Sequence, residues 1–194
     1  MKNIVEYFAS FRDTVSKIDY QQINDLVISI LEIKENKGRI FFLGIGGSAA
    51  NAGHAVNDFR KICNIECYAP SDNISELTAR TNDEGFDKIF SKYLVNSNLS
   101  KKDAIFILSV GGGNAKFKIS IGIIEAIKLA KKRGAKIFSI VGRLDGYAFK
   151  NSDIKILTKV NNREYLTPIN ESMQAVIWHC LVSDKRLKIN KTKW

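Results

Sequence analysis

The sequence predicts an α/β fold, a parallel sheet flanked by helices on both faces in a flavodoxin-like three-layer sandwich. Three observations predict it. The short runs RIFFL (39–43), DAIFILSV (103–110) and AKIFSIV (135–141) are apolar without in–out alternation, as strands covered on both faces read. Each is followed by a glycine turn, and helical stretches alternate with the strands along the chain. At 194 residues, 45% hydrophobic and 26% charged, the chain suits one large domain with a sizeable core.

Two helical segments open the chain, the first over 4–18. The second, QQINDLVISILEIKENKG, puts Ile23, Leu26, Val27, Ile30 and Leu31 on one side and stops at Gly38. A strand is expected at 39–43, a helix at 48–61 and a strand at 65–69. Short helices at 74–79 and 86–95 come next, then a strand at 103–110 and a helix at 121–133 ended by Gly134. Strands at 135–141 and 153–157 and a last helix over 170–183 complete the pattern. Pro70 and Pro168, the only prolines, fall at element boundaries. The expected organisation is a single domain over 1–194: N-terminal helices 1–37, an α/β core 38–183 and a basic tail 184–194.

Composition excludes several classes. No stretch approaches the roughly 20 apolar residues that span a bilayer, so no membrane partner is expected. MKNIVEYFASFRD brings in Glu6 and Arg12 early and does not read as a signal peptide, so a cytoplasmic location is expected. Cys63, Cys67 and Cys180 cannot pair completely and lack a second ligand pair for structural zinc. The net charge of +10 raises the question of nucleic acid. Much of it is local, in Lys131–Arg133 at a helix end and in five basic residues between Lys185 and Lys193. No nucleic-acid motif lies between them, so nucleic acid is not an expected partner; a lysine-rich surface also attracts anionic metabolites.

Ligands of open parallel sheets sit outside the carboxyl ends of the strands. Three such ends carry glycine turns: Gly44-Ile45-Gly46-Gly47-Ser48, Ser109-Val110-Gly111-Gly112-Gly113-Asn114 and Gly142-Arg143-Leu144-Asp145-Gly146. Glycine lets backbone N–H groups approach an anion at a helix start, and Ser48 and Ser109 add hydroxyls. Gly44, Gly46 and Ala49 also satisfy G-x-G-x-x-A, with Glu66 as a ribose partner, but that pattern alone is weak. Two further glycine turns suit a phosphorylated sugar better, and no nucleotide cofactor is expected. The bland alternative for any single loop is a tight turn.

The run LGIGGSAANAGHAVNDFRK (43–61) resembles the GNGGS-x-x-x-A-x-H segment of the phosphoheptose isomerases, members of the sugar isomerase (SIS) domain family. LTARTNDEGFDKIFSKYL (77–94) resembles their GND-x-G-[FY]-x-x-x-F block, and the strand-loop 108–114, AKIFSIVGRLDG (135–146) and TPINESMQAVIWHCL (167–181) continue the match in order. The resemblance implies a single SIS domain whose N-terminal helices build a homotetramer (or a homodimer). It also implies conversion of sedoheptulose 7-phosphate into D-glycero-D-manno-heptose 7-phosphate, with Zn²⁺ as a possible cofactor. Two departures stand out. Ile45 replaces an asparagine, and the serine-rich phosphate loop has become the S-V-G-G-G form of a variant branch, lengthened by about six residues that include Lys116 and Lys118. These departures keep a second reading open: a non-catalytic SIS protein that binds sugar phosphates as a regulator or binds a partner.

Ketose–aldose isomerisation needs a base beside the carbonyl and an acid or electrophile for the oxygen. His54 and Asp58, i and i+4 on one helix, share a face. The resemblance gives their positions to His and Glu; Asp58 is one methylene shorter than that Glu. It gives a later Gln and His, eight residues apart, to Glu171 and His179 after a one-residue shift; without the shift they would fall on Asn170 and Trp178. Asp58 and His179 are therefore the expected catalytic pair. His54, Asp58, Glu171 and His179 are the candidate metal set. Expected substrate and phosphate contacts are Gly46, Gly47, Ser48, Asn82, Asp83, Ser109, Gly111, Gly112, Gly113, Asn114 and Gln174. Asp83 could instead cap the helix after it, Arg60 and Lys61 could orient substrate oxygens or simply be solvated, and either histidine could be a packed structural residue.

Overall fold

A computed structural model describes residues 1–191; of the basic tail, Lys193 lies outside the described residues. The elements are α1 (Lys2–Ser16), α2 (Tyr20–Glu35), β1 (Ile40–Leu43), α3 (Gly47–Cys63), β2 (Cys67–Tyr68), α4 (Ile74–Glu84), α5 (Ile89–Asn96), β3 (Ala104–Ser109), α6 (Ile121–Arg133), β4 (Lys136–Val141), α7 (Tyr147–Asn151), β5 (Ile154–Leu157) and α8 (Leu166–Ser183). All strand pairs are parallel, in the order β2-β1-β3-β4-β5.

Alternate strand residues serve two cores. Ile40, Phe42, Phe106, Leu108, Phe138, Ile140 and Ile156 face α2, α3 and α8, with partly buried residues of α1 against them. Phe41, Leu43, Ile105, Ile107, Ile137 and Val141 face α5, α6 and α7. Both faces are covered, which is why the strands read as continuous apolar runs rather than alternating ones. β1 leads to α3 on the first face and β3 to α6 on the second, so the chain changes direction between β1 and β3. Two glycine turns flank that point, where doubly wound sheets place ligands.

Several elements differ from the sequence pattern. β2 is two residues long, not 65–69, because Asn64 turns left-handed (φ 50°) and Ile65 N–H closes back on the Phe59 carbonyl. α4 extends to Glu84 and buries none of its side chains. α7 was not apparent in the sequence, its five residues being too few for periodicity. α8 starts at Leu166, because Pro168 falls in its first turn, where no N–H is required. Gly38 does more than end a helix: a Cβ there would overlap the Lys102 carbonyl, so this crossing of α2 into β1 needs glycine.

Below the sheet, Asp103 ties the starts of β1 and β3. Its carboxylate accepts Arg39 N–H (2.9 Å), Arg39 Nε (3.1 Å) and Nη2 (3.0 Å), Ser100 N–H (2.8 Å) and Ser100 Oγ (3.0 Å). Burial alone would raise its pKa, but the bonds from Arg39 and Ser100 outweigh burial and lower it. Cys63 and Cys67 are buried free thiols; burial pushes Cys63 up to about 11 and raises Cys67 further. Neither is a thiolate nucleophile near neutral pH.

Candidate active site

α3 and α8 pack side by side and run the same way, which creates a ladder of facing pairs. At the top, the Glu171 carboxylate lies on the Cα of Gly47; a Cβ there would be 2.5 Å from Glu171 Oε2. Next, Gln174 Nε2 donates to Ser48 Oγ (3.0 Å), and Asn51 Nδ2 donates to the Glu171 carbonyl (2.9 Å) and to Gln174 Oε1 (3.0 Å). Further down, the His54 ring meets the buried Trp178 ring edge-on at 4.6 Å. At the last rung His179 reaches Asp58. Residues four apart on each helix return to the same side, so one favourable contact brings the next pair together.

Asp58 Oδ2 lies 3.8 Å from His54 Nε2 and 3.7 Å from His179 Nε2. The other carboxylate oxygen, Oδ1, accepts from Asn57 Nδ2 at 2.8 Å, which turns Oδ2 toward the imidazoles. The two rings stand nearly perpendicular, 5.5 Å apart, and Trp178 touches both. The Asp58 side chain is 12% exposed, whereas those of His54 and His179 are 57% and 50% exposed. A shielded carboxylate is thus presented by two solvent-accessible imidazoles. The Trp178 indole N–H is buried with no hydrogen-bond partner among the described residues.

One ligand atom from each of His54, Asp58 and His179 lies within 4.8 Å of the others. Two imidazole nitrogens and one carboxylate oxygen match the three-protein-ligand set of a catalytic zinc site with an open fourth position. The donor set therefore fits zinc. Glu171, the fourth member of the expected metal set, is not in this cluster. Its carboxylate stands at the start of α3, with no hydrogen bond or ion pair among the described residues. Along α3, Gly47 and His54 are separated by a rise of about 10 Å.

The glycine turns are organised differently from one another. Gly46 has φ 64°, which begins α3; the Ala49 and Ala50 N–H groups turn back to the Gly46 carbonyl. Those of Gly47 and Ser48 stay at the open end of the helix, as first-turn donors do. In the second turn the Ser109 hydroxyl accepts Gly112 N–H at 3.0 Å and is largely buried. Gly112 and Gly113, both at positive φ, give their carbonyls to Ala148 and Tyr147 at the start of α7. The second and third turns are thereby locked together, leaving a cleft of about 170 Å³ lined by Gly111, Gly113, Asn114, Phe117 and Arg143 among others. Lys116 and Lys118 lie on the exposed 114–119 hairpin.

Other expected residues lie elsewhere. Gln174 is fully buried, and both ends of its amide bond to protein: Nε2 also donates to Asn170 Oδ1 (2.8 Å), and Asn170 Nδ2 donates to Thr158 Oγ1 (2.5 Å). Asn82 and Asp83 bond each other (2.7 Å) in the exposed last turn of α4, so Asp83 sits inside that helix rather than capping the next. Arg60 donates to the Cys67 carbonyl and lies over Tyr68, away from the cluster. Glu66 precedes β2, at the amino edge of the sheet, opposite the glycine turns, so it cannot serve a ribose there. Sequence reasoning missed Asn51; its position one turn before His54 on the same face was the available signal.

The SIS domain model matches residues 6–142. A phosphoheptose isomerase of Chlorobaculum parvum is 30% identical over 158 residues, covering 78% of this chain and 72% of that protein. One from Aliarcobacter butzleri is 28% identical and covers 95% of this chain and 97% of its own length. The solved structure of a phosphoheptose isomerase from Neisseria gonorrhoeae superposes with TM-score 0.77 at 25% identity, over 93% of each chain. With that match, that identity and that coverage, the chain belongs to the SIS-domain family, among its phosphoheptose isomerases.

Proposed function

We propose that the protein interconverts sedoheptulose 7-phosphate and D-glycero-D-manno-heptose 7-phosphate. The convergence of His54, Asp58 and His179 carries this reading. Isomerisation moves one proton between C1 and C2 and another between the two oxygens. Asp58 Oδ2 takes the carbon-bound proton, leaving an enediol, and returns it to the neighbouring carbon. His179, at the exposed rim, exchanges the oxygen-bound proton. Zinc held by His54, Asp58 and His179 would engage the same Asp58 oxygen and imidazole nitrogens, so it would supply Lewis-acid polarisation of the substrate oxygens in place of their proton transfer, as an alternative use of the cluster. Asn57 keeps the other carboxylate oxygen occupied, so Asp58 offers a single oxygen to the reaction.

The glycine turns are the proposed phosphate holders. Gly46, Gly47 and Ser48 supply N–H and hydroxyl donors at the start of α3; Ser109 and Gly111–Asn114 form the second turn. The roughly 10 Å rise from Gly47 to His54 is a span that an extended seven-carbon chain with a terminal phosphate can bridge. Assembly into a homotetramer belongs to the same proposal. Ile4, Val5 and Phe8 of α1 are each more than 60% exposed, and an apolar groove of about 320 Å³ runs between α1, α2 and α8. Among the described residues no helix is long and apolar enough to cross a membrane, which is compatible with the expected cytoplasmic location.

The test is direct: incubate the purified protein with sedoheptulose 7-phosphate, with and without Zn²⁺, beside Asp58→Asn. Turnover by the parent and a loss of 10²–10⁴-fold in the variant are expected. Ligand binding without product under every condition would refute catalysis and favour a sugar-phosphate sensor.

A further inference from the structure

We infer that Asn51 is a positioning residue that sets the register of α8 on α3, and so brings His179 to Asp58. The inference rests on the metal-binding reading of that cluster.

The geometry asks for fine control. Ligand atoms of a tetrahedral zinc site stand about 3.3 Å apart, given metal–ligand distances of about 2.0–2.1 Å. The Asp58–imidazole separations are 3.7 and 3.8 Å. Each Asp58–imidazole separation must close by only a few tenths of an ångström, whereas sliding α8 by one residue would move His179 about 1.5 Å. Apolar contact between the helices is non-directional and does not by itself fix such a slide. Directional bonds do.

Asn51 makes those bonds from one nitrogen. It reaches the Glu171 carbonyl and Gln174 Oε1, two acceptors about one turn apart on α8, so it opposes both axial slide and rotation. Gln174 extends the tie to Ser48 at the start of α3 and to Asn170, and Asn170 extends it to Thr158 just beyond β5. Ser48, Thr158, Asn170 and Gln174 are all at most 2% exposed. A buried, satisfied network of this kind specifies one arrangement, because any other leaves polar atoms unpaired. Asn51 itself is not in the metal cluster and lies one turn from His54.

Asn51→Leu keeps the side-chain branching and removes both bonds; Asn51→Ala removes them with less bulk. Zn²⁺ and Co²⁺ affinities of the full-length protein are measured by competition with a chelating dye, alongside far-UV circular dichroism and thermal unfolding of the metal-free forms. The expected result is a folded variant that binds metal 10–100-fold more weakly, the scale of losing an outer partner of a metal site. A purely structural role would lower the melting temperature and leave the affinity of the folded protein unchanged; that outcome overturns the inference. Failure of the parent protein to bind either metal overturns the metal reading together with it. Should Asn51→Ala not fold, Gln174→Leu, which cuts the network from α8, gives the same comparison.

Discussion

Replacing Asp103 by Asn tests whether the amino edge of the sheet depends on one carboxylate. The side chain is 3% exposed and receives five hydrogen bonds from Arg39 and Ser100, while its guanidinium partner is 24% exposed. Asparagine preserves the shape and one acceptor oxygen, but turns an amide toward donors that then have no acceptor. Removing one partner of a buried pair costs about 3–5 kcal/mol. The partly hydrated arginine and the retained oxygen place this case near the lower end, about 3 kcal/mol. At about 2–4 °C per kcal/mol for a chain of this size, the melting temperature should fall by about 6–12 °C. The sign with pH also follows. The folded pKa of Asp103 is lowered, so its stabilisation is present above the unfolded value of about 3.9 and is lost as pH falls through the folded value. Urea titrations of both proteins from pH 7 down to pH 3 should therefore show the difference in midpoint narrowing below about pH 4. A cost under about 1 kcal/mol at pH 7, or a difference independent of pH, would refute the reasoning.

Two more outcomes are expected. Glu171→Gln removes an unpaired carboxylate from the start of α3, where the helix end favours an anion; KM for the phosphosugar should fall several-fold with little change in kcat, and an unchanged or raised KM counts against phosphate binding at that turn. Phe8→Asp places a charge in the exposed apolar face of α1; light scattering should report a smaller assembly than the parent forms, and an unchanged mass would remove α1 from the interface.

Much of the architecture was legible because it rests on local pattern. Continuous apolar runs, glycine turns and helical spacing identified the strands and the glycine-bearing carboxyl ends. The His54–Asp58 pairing also followed from local geometry, since i and i+4 share a helix face. Short or atypical elements were less legible: α7 has too few residues for a period, and Pro168 disguised the first turn of α8.

Contacts between the two helices were decided by the tertiary structure. Eight residues separate Glu171 from His179, which on a helix is a rise of about 12 Å, so the two side chains share a cluster only if they lean toward each other, and here they do not. Sequence spacing could nominate both, but only the packing of α8 against α3 put His179 on Asp58 and Glu171 on Gly47. Gln174 likewise read as a substrate ligand, yet its amide is consumed by Ser48, Asn51 and Asn170. Which polar groups meet each other, and which are left for a ligand, depends on the relative position of elements more than a hundred residues apart. Local propensity carries strand, turn and helix; it holds no information on the slide of one helix along another, and here that slide sets the chemistry.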